Sequence, residues 1–161
     1  MAAVITLEWS ARAPADRVFD LARSIDAHVT STAGTEERAV PGPDGRGKTN
    51  GLLGLGDEVT WRAVHFGVMQ ELTSRITAFD RPGHFRDSMV RGAFRCFDHD
   101  HFFEPAGPHL THCRDVFAFK APLGPLGWLA ERLFLKRYMR RFLEARIRIL
   151  QSLASLPAGN L

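Results

Sequence analysis

The segment RCFDHDHFF, residues 95–103, holds the densest group of side chains able to act as acids, bases or metal ligands. Successive residues of a strand point to opposite faces, so Asp98 and Asp100 are expected to face solvent. His99 and His101 then point inward together with the neighbouring phenylalanines. Two imidazoles on one buried face can orient a ligand, transfer protons or bind a metal.

The partner of these histidines is expected on the next strand, across a five-residue connection at 105–109. This register sets His99 opposite Asp115 and His101 opposite Cys113. His99 and Asp115 are therefore candidate acid–base residues. A metal needs three or four ligands, and no recognised motif fixes a serine or cysteine nucleophile beside the pair. We expect no metal and no other cofactor, and we favour a structural or ligand-orienting role.

Two further charged residues fall on faces that are otherwise apolar. Asp87 lies between Phe85 and Met89 on the inward side of its strand, and Arg146 lies within the apolar arc of the last helix. Burying a charge without a partner is costly. Arg146 is expected either to extend its guanidinium to water or to pair in the interior with Asp87 or an anionic ligand group.

An antiparallel sheet and one long helix are predicted to position these side chains. Residues 3–11 alternate as a strand, and residues 14–29 have the spacing of one or two short amphipathic helices. The glycine- and proline-rich segment 41–57 is predicted to be a long loop. Five strands in direct succession then imply a meander, which a terminal helix follows. The bounds are 58–66, 69–80, 84–91, 94–104 and 110–120 for the strands and 126–156 for the helix.

Gly51, Gly54 and Gly56 look at first like a phosphate-binding loop. Such a loop opens into a helix whose N-terminal N–H groups hold the phosphate. Here the glycines lead into a strand, Asp57 and Glu58 stand where a phosphate would bind, and no Lys-Ser/Thr pair follows. A nucleotide site is therefore not predicted.

The composition fits a single domain over residues 1–161. Apolar residues make up 45% and charged residues 24% of the chain, values ordinary for a globular protein. No apolar run is long enough to span a membrane and the first residues do not read as a leader, so a cytoplasmic protein is expected. Cys96 and Cys113 are expected to be free thiols. A homodimer is left open.

The outer face of the terminal helix is predicted to be basic. Such a helix can attract nucleic acid or an anionic membrane, but no aromatic interleaving or DNA-binding motif accompanies it here. We therefore expect no specific nucleic-acid partner. The basic residues of this region are Arg132, Lys136, Arg137, Arg140, Arg141, Arg146 and Arg148.

Four runs of the sequence carry a family resemblance: APADRVFDLARSID, GLLGLGDEVTWRAVHFG, ITAFDRPGHFRDSMVRGAFRCFDHDHFFEP and FKAPLGPLG. Together they resemble the START-related polyketide cyclase/dehydrase and lipid-transport superfamily (SRPBCC), in its bacterial ligand-binding branch. The resemblance implies an α+β helix-grip fold, in which a curved antiparallel β-sheet wraps around a long C-terminal α-helix. It also implies two short helices after the first strand, and a glycine loop at the mouth of an internal cavity.

The resemblance further implies that the cavity binds or transports a small hydrophobic or amphipathic molecule. One alternative is a cyclase/dehydrase-type enzyme acting on a polyketide-like substrate. Another is a regulatory protein acting through the basic face of the last helix. We favour binding over catalysis. The side chains expected at the ligand are Trp61, Leu72, Ile76, Phe85, Asp87, Met89, Phe97, His99, His101, Phe117, Met139, Phe142, Arg146 and Ile149.

Overall fold

A sheet of seven strands and three helices make up the regular structure that the computed structural model describes, which covers residues 2–121 and 134–157. A single 3₁₀ turn follows the second helix. The elements are β1 (Ala3–Ala11), α1 (Ala15–Ala22), α2 (Ile25–Ser31), β2 (Arg38–Val40), β3 (Glu58–His65), β4 (Val68–Asp80), β5 (His84–Arg91), β6 (Cys96–Gly107), β7 (Leu110–Lys120) and α3 (Lys136–Ser155).

The sheet is antiparallel throughout, in the order β1-β7-β6-β5-β4-β3-β2. Strands β3 to β7 form the predicted meander, and β1 closes it by pairing with β7 along its whole length, from Ala3 opposite Phe119 to Ala11 opposite Thr111. Register shifts interrupt β4 at two points, and such irregularities bend a strand and increase its twist. The helix-grip α+β prediction is confirmed, with the short β2 as an addition.

The hairpin between β6 and β7 is tighter than predicted. The strands continue to Gly107 opposite Leu110, which leaves a two-residue turn, with a bulge near Pro105. The inward and outward faces of both strands agree with the prediction, because the shift of register is two residues and the side-chain period is also two. The pairing itself was wrong: His101, not His99, lies opposite Asp115.

The prediction of which α3 side chains face inward was also partly wrong. Its C-terminal half lies against α1, α2 and β1, and this packing turns Ile149 to solvent with 38% of its surface exposed. The buried side chains recur at spacings of three or four residues, which places them on one face. They are Met139, Leu143, Arg146, Leu150 and Ala154. The predicted stretch 126–133 lies outside the described residues.

Phe19 of α1 is the centre of the larger apolar cluster. It is fully buried, and the ring centroids of Phe79, Phe85 and Phe103 lie 5.3–5.5 Å from its own in edge-on geometry. Edge-to-face packing of this kind adds to the free energy of burial. This cluster closes one end of the space between sheet and helices.

The glycine loop belongs to that closed end and does not lie at the cavity mouth. Gly51 accepts a hydrogen bond from the backbone N–H of Ile25, Leu53 is buried in the larger cluster, and Gly56 donates to the carbonyl of Ile76. Gly51 and Gly56 have positive φ, a conformation that suits glycine. The loop therefore ties α2 to β4. No helix in the described ranges is long and apolar enough to cross a bilayer.

Candidate functional site

A cavity of about 460 Å³ lies between the inner face of the sheet and α3. Its volume is within the range of about 300–1,000 Å³ typical of small-molecule sites. Most of the lining is aromatic or aliphatic, contributed by β3 to β7 and by the N-terminal half of α3. Nine residues expected at the ligand do line it: Trp61, Leu72, Asp87, Phe97, His99, Phe117, Met139, Phe142 and Arg146.

Five expected ligand residues lie elsewhere. Ile76 and Phe85 belong to the apolar cluster around Phe19, because the C-terminal end of β4 and the start of β5 are covered by α1. Met89 packs at the edge of a second apolar cluster, which includes Phe97, Phe117 and Phe119, and Ile149 is exposed. His101 is 3% exposed and lies behind the cavity wall, stacked on the ring of Phe85 at 4.4 Å.

His28 and Glu37 line the cavity although the sequence analysis did not select them. His28 stacks on Trp61 with ring centroids 3.9 Å apart, and its Nε2 lies 3.1 Å from Glu37 Oε2. His28 lies in α2 and Glu37 lies in the segment before β2. Alternation along strands, which predicted the cavity residues of the sheet, therefore gives little indication of this pair. The other lining residues outside the expected ligand set are Ala63, His65, Phe66, Gln70, Ala93, Phe94, Ala121, Phe134, Leu135, Tyr138 and Leu143.

The pair formed by His28 and Glu37 is a neutral imidazole and a carboxylate. Burial lowers the pKa of His28, against the opposing pull of Glu37. Burial acts to raise the pKa of Glu37, but the interaction with His28, which donates a hydrogen bond to the carboxylate, outweighs burial and lowers the value. Because a carboxylate only accepts hydrogen bonds, the proton of the neutral imidazole lies on Nε2 and is donated to Glu37.

A chain of buried hydrogen bonds runs behind the cavity wall from β1 to β5. Trp9 Nε1 donates to Asp115 Oδ2 at 2.7 Å, and His101 Nδ1 lies 2.5 Å from Asp115 Oδ1. The other ring nitrogen of His101, Nε2, lies 3.3 Å from Asp87 Oδ1. His101 is thus held between two carboxylates, one of which, Asp87, also lines the cavity.

The protonation states in this chain follow from burial and neighbouring charge. Burial disfavours the imidazolium form of His101, but the carboxylates on either side outweigh it and raise its pKa. Burial likewise acts to raise the pKa of Asp115, whereas the charge and hydrogen bond of His101 bring it down to about 2. The pKa of Asp87 is lowered for the same reason. The chain therefore contains two carboxylates and one imidazolium.

His99 lines the cavity as a neutral imidazole. It is 6% exposed, and burial together with the nearby charge of His101 lowers its pKa to about 3. Its Nδ1 lies 3.9 Å from Asp87 Oδ1 and its Nε2 lies 3.7 Å from Asp115 Oδ1, distances beyond a hydrogen bond. The buried Nε2 has no hydrogen-bond partner. His99, His101 and Asp87 together have the donor atoms of a metal site, within 4.8 Å of one another.

Arg146 is the basic side chain of the cavity floor. It is 7% exposed and donates from Nη2 to the backbone carbonyl of Ala22 at 3.0 Å, while its buried Nε has no partner. Asp87 is not within ion-pair distance of the guanidinium in the described structure, although the positive charge contributes to the lowered pKa of that carboxyl. The carboxylates of Asp87 and Glu37 and this guanidinium are the charged groups among the described lining residues.

Comparison with known proteins rests on solved structures, since no family model and no curated protein matches the sequence. An aromatase/cyclase from Streptomyces sp. R1128 superposes with a TM-score of 0.76 at 15% identity, covering 100% of both chains. A START superfamily protein from Mycobacterium smegmatis gives 0.68 at 12% identity over 94% of this chain and 96% of its own. Norcoclaurine synthase from Thalictrum flavum, in complex with dopamine and hydroxybenzaldehyde, gives 0.67 at 14% identity over 95% and 86%.

The chain has the helix-grip fold that these solved structures share. All these identities are below the level at which function can be transferred, so the likeness concerns the fold. The helix-grip architecture accounts for the position of the cavity, which in this chain lies between the sheet and the N-terminal half of α3.

The mouth of the cavity is aromatic. Phe66 at the β3–β4 turn and Phe134 before α3 both line the cavity, yet 65% and 68% of their surfaces are exposed. Between them, Tyr138 lies 4.5 Å from the Phe66 ring, and its hydroxyl is 2.6 Å from His65 Nδ1. Burial raises the pKa of Tyr138 and lowers that of His65, so this pair is uncharged.

Proposed function

We propose that this domain binds or transports a small amphipathic molecule in the cavity between the sheet and α3. The observation that supports this proposal most is the chemical character of the side chains that line the cavity. Aromatic and aliphatic side chains surround most of the space, and the charged side chains of the lining are those of Asp87, Glu37 and Arg146. An apolar body would be removed from water by the first group, and a polar group of the ligand would be oriented by the second.

The polar side chains of the lining also limit the chemistry of the ligand. Arg146 has a buried Nε without an acceptor, and a guanidinium gains most from carboxylate-like or carbonyl oxygens. His99 adds an uncharged imidazole beside it. A ligand with an oxygen acceptor at one end would satisfy the buried donors that the protein leaves without a partner.

Native mass spectrometry of the purified protein tests this function. We expect an additional mass, bound non-covalently, that is lost when the protein is denatured. The variant Ala63→Phe fills the cavity and should reduce the fraction of protein that retains this mass. Ala145→Phe makes the same change on the exposed face of α3 and should leave the fraction unchanged. Equal retention by both variants would place the bound molecule elsewhere.

A cyclase/dehydrase-type enzyme is the second candidate. It is supported by Asp87, whose carboxylate lines the cavity and could act as a base, with His101 behind it as a hydrogen-bond donor to that carboxylate. The enzyme proposal requires Asp87→Asn to abolish turnover of a polyketide-like substrate while the protein stays folded. Retained turnover in that variant would remove the candidate.

A further inference from the structure

The residues Asp87, His99 and His101 are arranged as three ligands of one metal ion. Asp87 lies directly opposite His99 in the β5–β6 pairing, and His101 follows two residues later on the same face. Asp87 Oδ1 is 3.3 Å from His101 Nε2 and 3.9 Å from His99 Nδ1. Donor atoms bound tetrahedrally at roughly 2.0–2.1 Å from an ion lie about 3.4 Å apart. The geometry points to a Zn²⁺-type divalent transition-metal site in the cavity wall.

His99 provides an independent reason for a ligand at this position. Its buried Nε2 has no hydrogen-bond partner, which is unfavourable, and its Nδ1 lies 3.9 Å from Asp87 Oδ1, beyond hydrogen-bond distance. Coordination through Nδ1 would leave the proton on Nε2, which faces Asp115 Oδ1 at 3.7 Å. Nδ1 would then have the metal as its partner, and the protonated Nε2 would face the carboxylate of Asp115.

His101 is already held as metal-bound histidines usually are. Its Nδ1 hydrogen-bonds to Asp115, whose second oxygen accepts from the indole N–H of Trp9. A carboxylate on the far nitrogen of a ligating histidine fixes its tautomer and its orientation. The Nε2 lone pair would therefore be directed at the metal position, where in the metal-free protein a proton lies between His101 and Asp87.

The charge and accessibility of the cluster also suit a divalent cation. The carboxylates of Asp87 and Asp115 lie on either side of the His101 ring, and a divalent ion would offset the negative charge of both. Arg146 provides the opposing positive charge, but it is directed to the carbonyl of Ala22. Because Asp87 and His99 line the cavity, a remaining coordination position would open toward the space proposed for the ligand.

Titration of chelator-treated protein with Zn²⁺, in competition with a chromophoric chelator, tests the site without any organic ligand. We expect one ion per chain, and a loss of affinity of about 100-fold in Asp87→Asn and in His101→Asn. Asp115→Asn should lose about 10–100-fold, as positioning residues of metal-bound histidines do. His28→Gln changes another histidine–carboxylate pair of the cavity, for which the described residues offer no third ligand, and this variant should bind Zn²⁺ as the unaltered protein does.

The Co²⁺-loaded protein provides a second measurement that is independent of variant folding. Tetrahedral coordination by nitrogen and oxygen should give intense visible absorption at one equivalent, displaced by Zn²⁺. A titration with Fe²⁺ decides whether the site prefers that ion. The inference is overturned if folded protein binds Zn²⁺ only with a Kd above about 10 μM, or if Asp87→Asn and His28→Gln bind equally. Either result leaves the proposed binding of an organic molecule untouched, since that proposal needs no metal.

Discussion

His101 and Asp115 lie directly opposite each other on β6 and β7, with Nδ1 of the imidazole 2.5 Å from Oδ1 of the carboxylate. Trp9 on β1 donates to the other oxygen of Asp115, so one carboxylate joins three neighbouring strands. In a buried setting these hydrogen bonds are strong, and losing one partner leaves a charged acceptor unsatisfied.

Removal of the indole donor should therefore destabilise the protein. We expect Trp9→Phe to lower the free energy of unfolding by about 1–3 kcal/mol, because Asp115 loses a hydrogen bond that water cannot easily replace. Urea unfolding of Trp9→Phe, Asp115→Asn and the double variant measures the coupling between the two. Effects that simply add would show that the hydrogen bond does not stabilise the fold.

His101 and Asp115 also show which features of the sheet can be predicted from the sequence. Alternation along β6 was enough to predict that His99 and His101 face inward and that Asp98 and Asp100 face outward. The register could not be predicted, because it depends on the length of a turn and on a bulge near Pro105, which alternation does not record. Asp100, although outward, is also buried, since Arg86 and His84 cover it.

Acidification should weaken the fold through the pair His28 and Glu37. A histidine whose pKa falls below 6.5 on folding contributes stability above that pH, and the contribution is lost as pH falls toward the folded value. The pKa of Glu37 is lowered from 4.5 on folding, so this residue adds a further loss of stability as the pH falls below 4.5. The free energy of unfolding, measured in chelator, should therefore fall less steeply between pH 6.5 and 5 in His28→Gln than in the unaltered protein. The exposed His109→Gln is the control and should show no such change; an unchanged slope in His28→Gln would contradict the assignment.

Arg146 should distinguish acidic from neutral ligands. Its replacement by leucine keeps an apolar side chain on the buried face of α3 but removes the only guanidinium among the described lining residues. For a fatty-acid-like probe we expect a loss of affinity on the order of 1.5–3 kcal/mol, and for its methyl ester little change. Arg148→Leu removes an exposed arginine of the same helix and should affect neither probe. Equal losses for acid and ester in Arg146→Leu would leave the arginine with a packing role only.

A substitution in the turn at the cavity mouth should raise the stability of the protein and lower its affinity for the ligand. Phe66 has a φ of 54° and Gly67 one of 74°, a two-residue hairpin conformation that favours asparagine at the first position and disfavours a bulky side chain. Phe66→Asn should therefore raise the free energy of unfolding by roughly 0.5–1 kcal/mol, while ligand affinity falls because an aromatic wall of the mouth is lost. Phe134→Asn removes the other exposed aromatic, which has no positive φ, and should weaken binding without stabilising the protein. Unchanged binding in both variants would mean that the mouth lies elsewhere.

Most of the fold and about half of the candidate site could be predicted from the sequence. Strand periodicity located Trp61, Asp87 and His99 correctly, since each lies within a regular strand. His28 and Glu37 reach the cavity through the docking of α2, which depends on long-range packing. Ile149 was misplaced because the apolar arc of α3 is wide, and only its contacts with α1 and α2 decide which edge is buried.

Titration of an amphipathic carboxylic acid into the purified protein by isothermal calorimetry tests the central claim most directly. Chelator-treated protein, Ala63→Phe and Ala145→Phe are measured side by side after thermal unfolding has shown that each is folded. We predict saturable binding of one molecule per chain to the unaltered protein and to Ala145→Phe, with a negative heat-capacity change from burial of apolar surface, and strongly reduced binding to Ala63→Phe. Binding to Ala63→Phe with undiminished affinity, or no saturable binding by any folded form across apolar bodies of different size, would contradict a ligand site in this cavity.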